Sequence, residues 1–449
     1  MQCARTQTLL RIHPRCTGYA NWPSRIRPGR LSSTTARCSP KAIAFASFFF
    51  PNEQWKSFAS SPGAPPATRT VAQAAPLAAN PTHPAPTPAL AGYKQTEVLT
   101  PRRLLKVYTQ LSKSRLTTLV VLTAMVGVAL SPLPVTVPVL LSTAIGTTLC
   151  SASANTFNQI QEVPFDAQMA RTRMRPLVRR AITPLHAAGF AVATGVAGPV
   201  VLWTMVNPAT ALLGLANIAL YAGAYTWMKR TTIWNTWVGS VVGAIPPLMG
   251  WTACGGHLLP SAAHPVALHI PAFLSSVPAA DLSLSVIDNP LAPFALFMLL
   301  FSWQFPHFNP LSHLMRESYA QGGYRMLSVV DPSKNARVSL RHSLLLIPIC
   351  SLLMPISGLT TWAFALTSLV PNIICARAAW SWWRYGSEKQ ARALWHNMLW
   401  YLPVILGLLM FHKRGMEWTS WLGLKKTETD ADATTDEERA GPEAKSSST

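Results

Sequence analysis

Between residues 116 and 412 the chain alternates long apolar runs with short polar stretches. Nine runs read as membrane-spanning helices: 116–132, 135–154, 185–206, 208–227, 236–253, 291–305, 342–357, 359–379 and 396–412. A spanning helix needs about 20 apolar residues, because each adds about 1.5 Å against a hydrocarbon core about 30 Å thick. Several runs contain Pro or Gly, which membrane helices tolerate when neighbouring helices re-satisfy the backbone. The expected fold is therefore all-α: a polytopic membrane protein with nine transmembrane helices.

The charges between the runs support this count. Arg102, Arg103, Lys106, Lys113 and Arg115 precede the first run. Arg171, Arg173, Arg175, Arg179 and Arg180 follow the second, and Lys229 and Arg230 follow the fourth. Arg316, Arg325, Lys334, Arg337 and Arg341 follow the sixth, and Arg384, Lys389 and Arg392 follow the eighth. The intervening loops, near 133, 207, 254–290 and 358, contain no Lys or Arg. Positive loops stay on the side from which a membrane protein inserts, so the N-terminus is expected there and the C-terminus opposite. The loop at 254–290 carries His257, His264 and His269 at irregular spacing, which reads as solvated loop histidines and not ligands.

Composition fits a membrane chain. Only 12% of residues are charged, against about 25% in soluble domains. The net charge is +21, but it is placed by topology and lacks any nucleic-acid-binding signature, so no nucleic-acid partner is expected. None of the seven cysteines forms a C-x-x-C pair, so neither a structural zinc nor a redox motif is indicated.

Residues 1–95 read as a mitochondrial transit peptide and a Pro/Ala-rich linker. The first 52 residues hold eight Arg or Lys and no acidic residue, the composition of an organelle-targeting segment. The apolar run Ala42–Phe50 is too short to span a bilayer. Residues 100–415 form the expected transmembrane domain, and 416–449 an acidic, disordered tail.

Three polar clusters fall at run ends on the positive side, where polar groups near lipid need a reason. In NQIQEVPFDAQMARTRMRP (158–176), Asn158, Glu162 and Asp166 are spaced four apart. On one helix they would share a face, and two carboxylates with an amide suit a hard cation such as Mg²⁺. Arg171, Arg173 and Arg175 follow and could hold phosphate oxygens. Pro164 leaves open whether the helix reaches Asp166. A helix end followed by a charged interfacial loop is an equally good reading of the spacing alone.

In YTWMKRTTIWNTWVG (225–239), Lys229 and Arg230 could neutralise a leaving diphosphate or merely anchor the loop, and Asn235 could cap the next helix or act as a ligand. In WQFPHFNPLSHLMRESYAQGGYRML (303–327), His307 lies beside Trp303, Phe305 and Phe308 just past a run. One imidazole among aromatics suits a flat metal macrocycle, although an interfacial aromatic belt accounts for it too. Glu317 sits next to Arg316, which on its own reads as a surface ion pair.

Taken in order, these clusters resemble the UbiA superfamily of intramembrane prenyltransferases, and WQFPHF in the third resembles its haem-farnesylating branch. ARALWHNMLWYLP (Ala391–Pro403) is similar as well, and the resemblance covers about 100–415. It implies a UbiA-type helical bundle in the mitochondrial inner membrane, with the site loops facing the matrix. The implied reaction transfers farnesyl from farnesyl diphosphate to a vinyl group of haem B, with addition of water, giving haem O and diphosphate for haem A synthesis. The implied cofactor is Mg²⁺ on Asn158, Glu162 and Asp166, with Lys229, Arg230 and His307 completing the catalytic set. Arg171, Arg175, Tyr225, Asn235, Trp303, Gln304, Arg316, Glu317 and Tyr319 fall at the implied substrate-binding positions. The implied partners are the two substrates and the bilayer; a direct hand-off to the next haem-modifying enzyme is compatible with this reaction but is carried by no residue pattern. One departure is Ser318, where the family commonly has an acidic residue before the Tyr. A ring-prenylating relative, a transporter and a non-catalytic assembly factor are the competing readings.

Overall fold

The structure, a computed structural model, describes residues 100–271 and 288–415. The targeting segment, linker and acidic tail expected from the sequence lie outside the described residues. Helices α1 (Pro101–Leu111), α2 (Ser114–Leu130), α3 (Val137–Asp166), α4 (Pro184–Met205) and α5 (Pro208–Thr231) form the first half. Helices α6 (Asn235–Ala253), α7 (Leu291–Leu314), α8 (Pro332–Ile356), α9 (Ala363–Tyr385) and α10 (Glu388–Phe411) form the second. Two short helices, Arg316–Gln321 and Leu327–Val330, sit between α7 and α8.

Each of the nine apolar runs lies on a helix, but the count of nine crossings is not reached on length and hydropathy. Among the described residues seven helices pass, α3, α4, α5, α7, α8, α9 and α10, with an eighth if α1 and α2, bent by 57°, are one crossing. α1 carries Arg102, Arg103 and Lys106 and buries only Val107 and Leu111, so the apolar part of that crossing starts at α2. The exception is α6, 19 residues long and diluted by Asn235, Thr236, Ser240, Pro246 and Pro247, all buried. A helix surrounded by protein needs less apolar surface than one facing lipid.

Small residues let α2 and α6 meet. A Cβ on Gly127 would fall on the carbonyl of Pro247, and one on Gly250 on the carbonyl of Ala124. Close backbone approach at glycine is a common basis of helix association in membranes, where burial from water supplies no drive. α7 is central to the second half and packs against α6, α8 and α10.

α7 also corrects a boundary. The apolar run stops at 305, but the helix continues through Pro306 and Pro310 to Leu314. Beyond 305 the buried Asn309 is tied to α8: its Nδ2 donates to the Asn335 carbonyl at 3.2 Å, and Asn335 Nδ2 donates back to the Asn309 carbonyl at 3.0 Å. His307 is therefore within a helix, not just past one.

The loop histidines are more ordered than their spacing suggested. His257 Nδ1 lies 2.7 Å from Asp288 Oδ2 and its ring stacks on His264. The backbone N–H of His269 donates to the Ile356 carbonyl at 2.9 Å.

Candidate active site

α3 runs unbroken past Pro164 and ends at Asp166, so Asn158, Glu162 and Asp166 do share one face. They are 0%, 4% and 1% exposed, which rules out the reading of a solvated helix end. Buried carboxylates require partners, since an unpaired buried charge is strongly destabilising. Glu162 Oε1 accepts from Lys229 Nζ at 2.7 Å, and Glu162 Oε2 accepts from Arg175 Nη1 at 3.3 Å. The same Arg175 nitrogen donates to Asp166 Oδ2 in a very short ion pair. Asp166 Oδ1 is buried with no hydrogen-bond partner. Burial works against the charge of Arg175, but Asp166 and Glu162 outweigh it and hold the guanidinium above its ordinary range.

Asn158 is held from two sides. Its Nδ2 donates to Thr226 Oγ1 at 3.0 Å, and its Oδ1 accepts from Lys113 Nζ at 2.8 Å. Lys113 also donates to the Tyr221 hydroxyl at 3.3 Å. It sits in the break between α1 and α2 with φ of 48°, a left-handed conformation that a non-glycine residue adopts at a cost of about 1 kcal/mol or more. Burial, then the nearby Arg175 and Lys229, lower its pKa to about 7. The sequence showed Lys113 only as one of several loop cations, and no spacing rule singles it out.

α5 supplies the opposite wall. Its stretch Ala219–Tyr225 is π-helical, a local widening frequent at functional sites. There Thr226 Oγ1 donates to the Tyr221 carbonyl at 2.8 Å, and Gln161 Nε2 donates to the Ala222 carbonyl at 2.8 Å. Lys229 Nζ lies 4.5 Å from the centre of the Tyr225 ring. Arg230 instead lies over Phe165, 4.7 Å from its ring centre. Asn235 is neither the cap nor in contact with the carboxylates: its Nδ2 donates to the carbonyls of Thr232 (2.6 Å) and Arg325 (3.2 Å), tying two loops together.

Four other expected residues make no bond to this cluster. Arg171 is exposed, as is Arg173, so of the three loop arginines only Arg175 pairs with the carboxylates. Glu317 is exposed on its short helix, and Arg316 is half-buried without an ion pair to it. Tyr319 meets Tyr324 edge to face, with ring centres 5.9 Å apart, beside Met169 and Met326.

A cavity of about 790 Å³ is lined by α2, α3, α5, α6, α7 and α10. Its surface is largely apolar, and Tyr221, Tyr225, Trp303, Gln304, His307 and Phe308 are among the residues that line it. Tyr221 links it to the ion cluster through Lys113. Trp303 stacks on His307 with ring centres 4.6 Å apart, and its Nε1 donates to the Met398 carbonyl at 3.3 Å. His307 Nδ1 is buried without a partner. Gln304 Nε2 donates to the carbonyls of Ser240 (2.8 Å) and Leu300 (3.1 Å). The site thus joins a charged cluster to an apolar chamber, an arrangement suited to an anion bearing a long hydrocarbon.

The UbiA prenyltransferase family profile matches residues 120–402. The chain belongs to the UbiA prenyltransferase family. Like other members it is a helical membrane protein, and its family chemistry is prenyl transfer. Among its relatives, the mitochondrial protoheme IX farnesyltransferase of Neurospora crassa is 44% identical over 336 residues, 71% of this chain and 63% of that protein. The human protein of that name is 42% identical over 308 residues, 69% of this chain and 62% of that protein. The chain therefore spans somewhat less than two thirds of the length of these relatives. A solved structure of digeranylgeranylglyceryl phosphate synthase has the same UbiA fold, with a TM-score of 0.53 at 14% identity, covering 69% of this chain and 98% of that one.

Proposed function

We propose that this UbiA protein is a protohaem IX farnesyltransferase of the mitochondrial inner membrane, its charged site facing the matrix. It transfers the farnesyl group of farnesyl diphosphate to a vinyl group of haem B, with addition of water, to give haem O and diphosphate. The observation that carries this reading is the join between the Asn158–Glu162–Asp166 cluster and a chamber containing a partnerless His307 imidazole stacked on Trp303. The identity to relatives that bear this name supports it.

The donor set fits Mg²⁺: Asn158, Glu162 and Asp166 offer hard oxygens, and Asp166 Oδ1 is free of other bonds. When bound there, the ion would neutralise charge on the diphosphate oxygens. Lys229, Arg175 and Lys113 are fixed cations that stabilise the negative charge growing on the leaving diphosphate, and they do so strongly because the surroundings are dry. The apolar chamber holds the farnesyl chain and keeps water from the allylic carbon until the vinyl group has attacked. His307 and Trp303 orient the porphyrin plane.

A reconstituted assay tests this reading. The chain in lipid receives haem B, farnesyl diphosphate and Mg²⁺, and product mass is read. A haem adduct carrying farnesyl plus water, abolished in Asp166→Asn, is expected. Prenylation of 4-hydroxybenzoate with no haem adduct would move the protein to the ring-prenylating branch.

A further inference from the structure

At the far end of α6 from the ion cluster, His257, His264 and Asp288 converge. Each offers one ligand atom, and these atoms all lie within 4.8 Å of one another. They come from the two ends of the 254–290 loop, and none is used by the prenyl chemistry. Asn235 opens α6 and Ala253 closes it, so the cluster is about 28 Å from the catalytic end at about 1.5 Å per residue.

An ordinary ion pair explains only part of this arrangement. Asp288 is 8% exposed, and its Oδ2 accepts from the His257 backbone N–H at 2.8 Å and contacts His257 Nδ1 at 2.7 Å. Its other oxygen, Oδ1, is buried with no partner, which is costly for a carboxylate. The His257 and His264 rings stack 3.7 Å apart with an interplanar angle of 19°. The stack sets two imidazoles side by side against one carboxylate. Neutral imidazole is the form that binds metal.

We propose that His257, His264 and Asp288 form a site for a zinc-type divalent ion that clamps the two ends of the 254–290 loop. Two nitrogens and one carboxylate oxygen match zinc and neighbouring first-row metals better than Mg²⁺ or Ca²⁺, which prefer oxygen alone. Ligand atoms around tetrahedral zinc are separated by about 3.3 Å, given bonds of about 2.0 Å. Side-chain rotations at exposed His257 and half-buried His264 close that difference. Three protein ligands leave one position for water. The ion's role here is to hold the loop, since it is remote from the prenyl site.

The test uses the full chain in detergent, purified through a histidine-free tag and stripped with chelator. It is then dialysed against zinc with excess Mg²⁺ present, so that hard-oxygen sites are filled. The expected result is one zinc per chain by elemental analysis, with imidazole scattering in the X-ray absorption spectrum. Zinc affinity should fall at least tenfold in His264→Gln and Asp288→Asn but not in His269→Gln, and Mg²⁺-dependent prenyl transfer should persist in His264→Gln. Asp288→Asn also alters a bond to the His257 backbone and could disturb folding. His264→Gln therefore decides, because its ring nitrogen has only a long 3.5 Å contact with Ser261. Failure of the wild-type chain to retain zinc, equal retention by His264→Gln, or sulfur ligation would each overturn the proposal.

Discussion

Lys113 Nζ donates to Asn158 Oδ1 at 2.8 Å, joining the break between α1 and α2 to the start of the carboxylate face on α3. Its pKa is lowered to about 7 by burial and by Arg175 and Lys229. The charge is thus present below about pH 7 and lost above it in the empty site. A bound diphosphate favours the charged form, so binding takes up a proton above pH 7. The KM for farnesyl diphosphate should rise with pH above 7, and Lys113→Met should raise it roughly tenfold at pH 6.5 and flatten the dependence. The linked stability effect has a definite sign. Between about 7 and the ordinary value of 10.5 the unfolded chain holds a proton that the folded chain has released, so stability rises with pH through that window. Superimposable pH profiles for wild type and Lys113→Met would rule out this role.

Glu162 pairs with Lys229 and shares Arg175 with Asp166, so among the described residues Lys229 relies on Glu162 for its ion pair. Glu162→Gln should destabilise the protein by about 3–5 kcal/mol, because it leaves a buried positive charge unpaired. Adding Lys229→Met should restore much of the loss in thermal melts while leaving prenyl transfer absent. A double variant no more stable than the single one would mean that the pair is not energetically coupled.

Much of this was legible in the chain. The nine apolar runs marked the helices, because lipid leaves no other way to satisfy the backbone, and the four-residue spacing of Asn158, Glu162 and Asp166 marked one face. Three features were not legible, each for a physical reason. Pro164 left the reach of one helix open and the end of an apolar run at 305 suggested the end of another, but tertiary packing carries both helices onward. Lys113 and Arg175 looked like other loop cations, and only the fold selects them over Arg171 and Arg173. α6 falls short of a spanning helix in hydropathy because its buried neighbours are protein.

His307 is a separable test of the acceptor end. Its ring stacks on Trp303, while Asn158, Glu162 and Asp166 make their bonds elsewhere. His307→Phe should keep the stack and the diphosphate affinity but perturb the Soret band of bound haem and lower transfer at least tenfold. An unchanged haem spectrum together with unchanged turnover would remove His307 from the acceptor site.

Gly243 is the narrowest test of the chamber's shape. A Cβ there would sit 2.7 Å from Gln304 Cδ, closer than real Cβ contacts allow, so the amide must move. Gln304 would then lose its bonds to the Ser240 and Leu300 carbonyls, at a cost of about 1 kcal/mol each. The displaced amide enters the cavity it now lines. Gly243→Ala should therefore raise the KM for the acceptor about tenfold and leave inorganic diphosphate affinity unchanged, because Gln304 makes no bond to the ion cluster. Gly223→Ala, whose Cβ meets nothing within 4 Å, serves as the control. Calorimetry with diphosphate and steady-state kinetics with varied haem separate the two ends of the site. Equal losses at both ends would mean that Gly243 supports the bundle as a whole and does not shape the acceptor pocket.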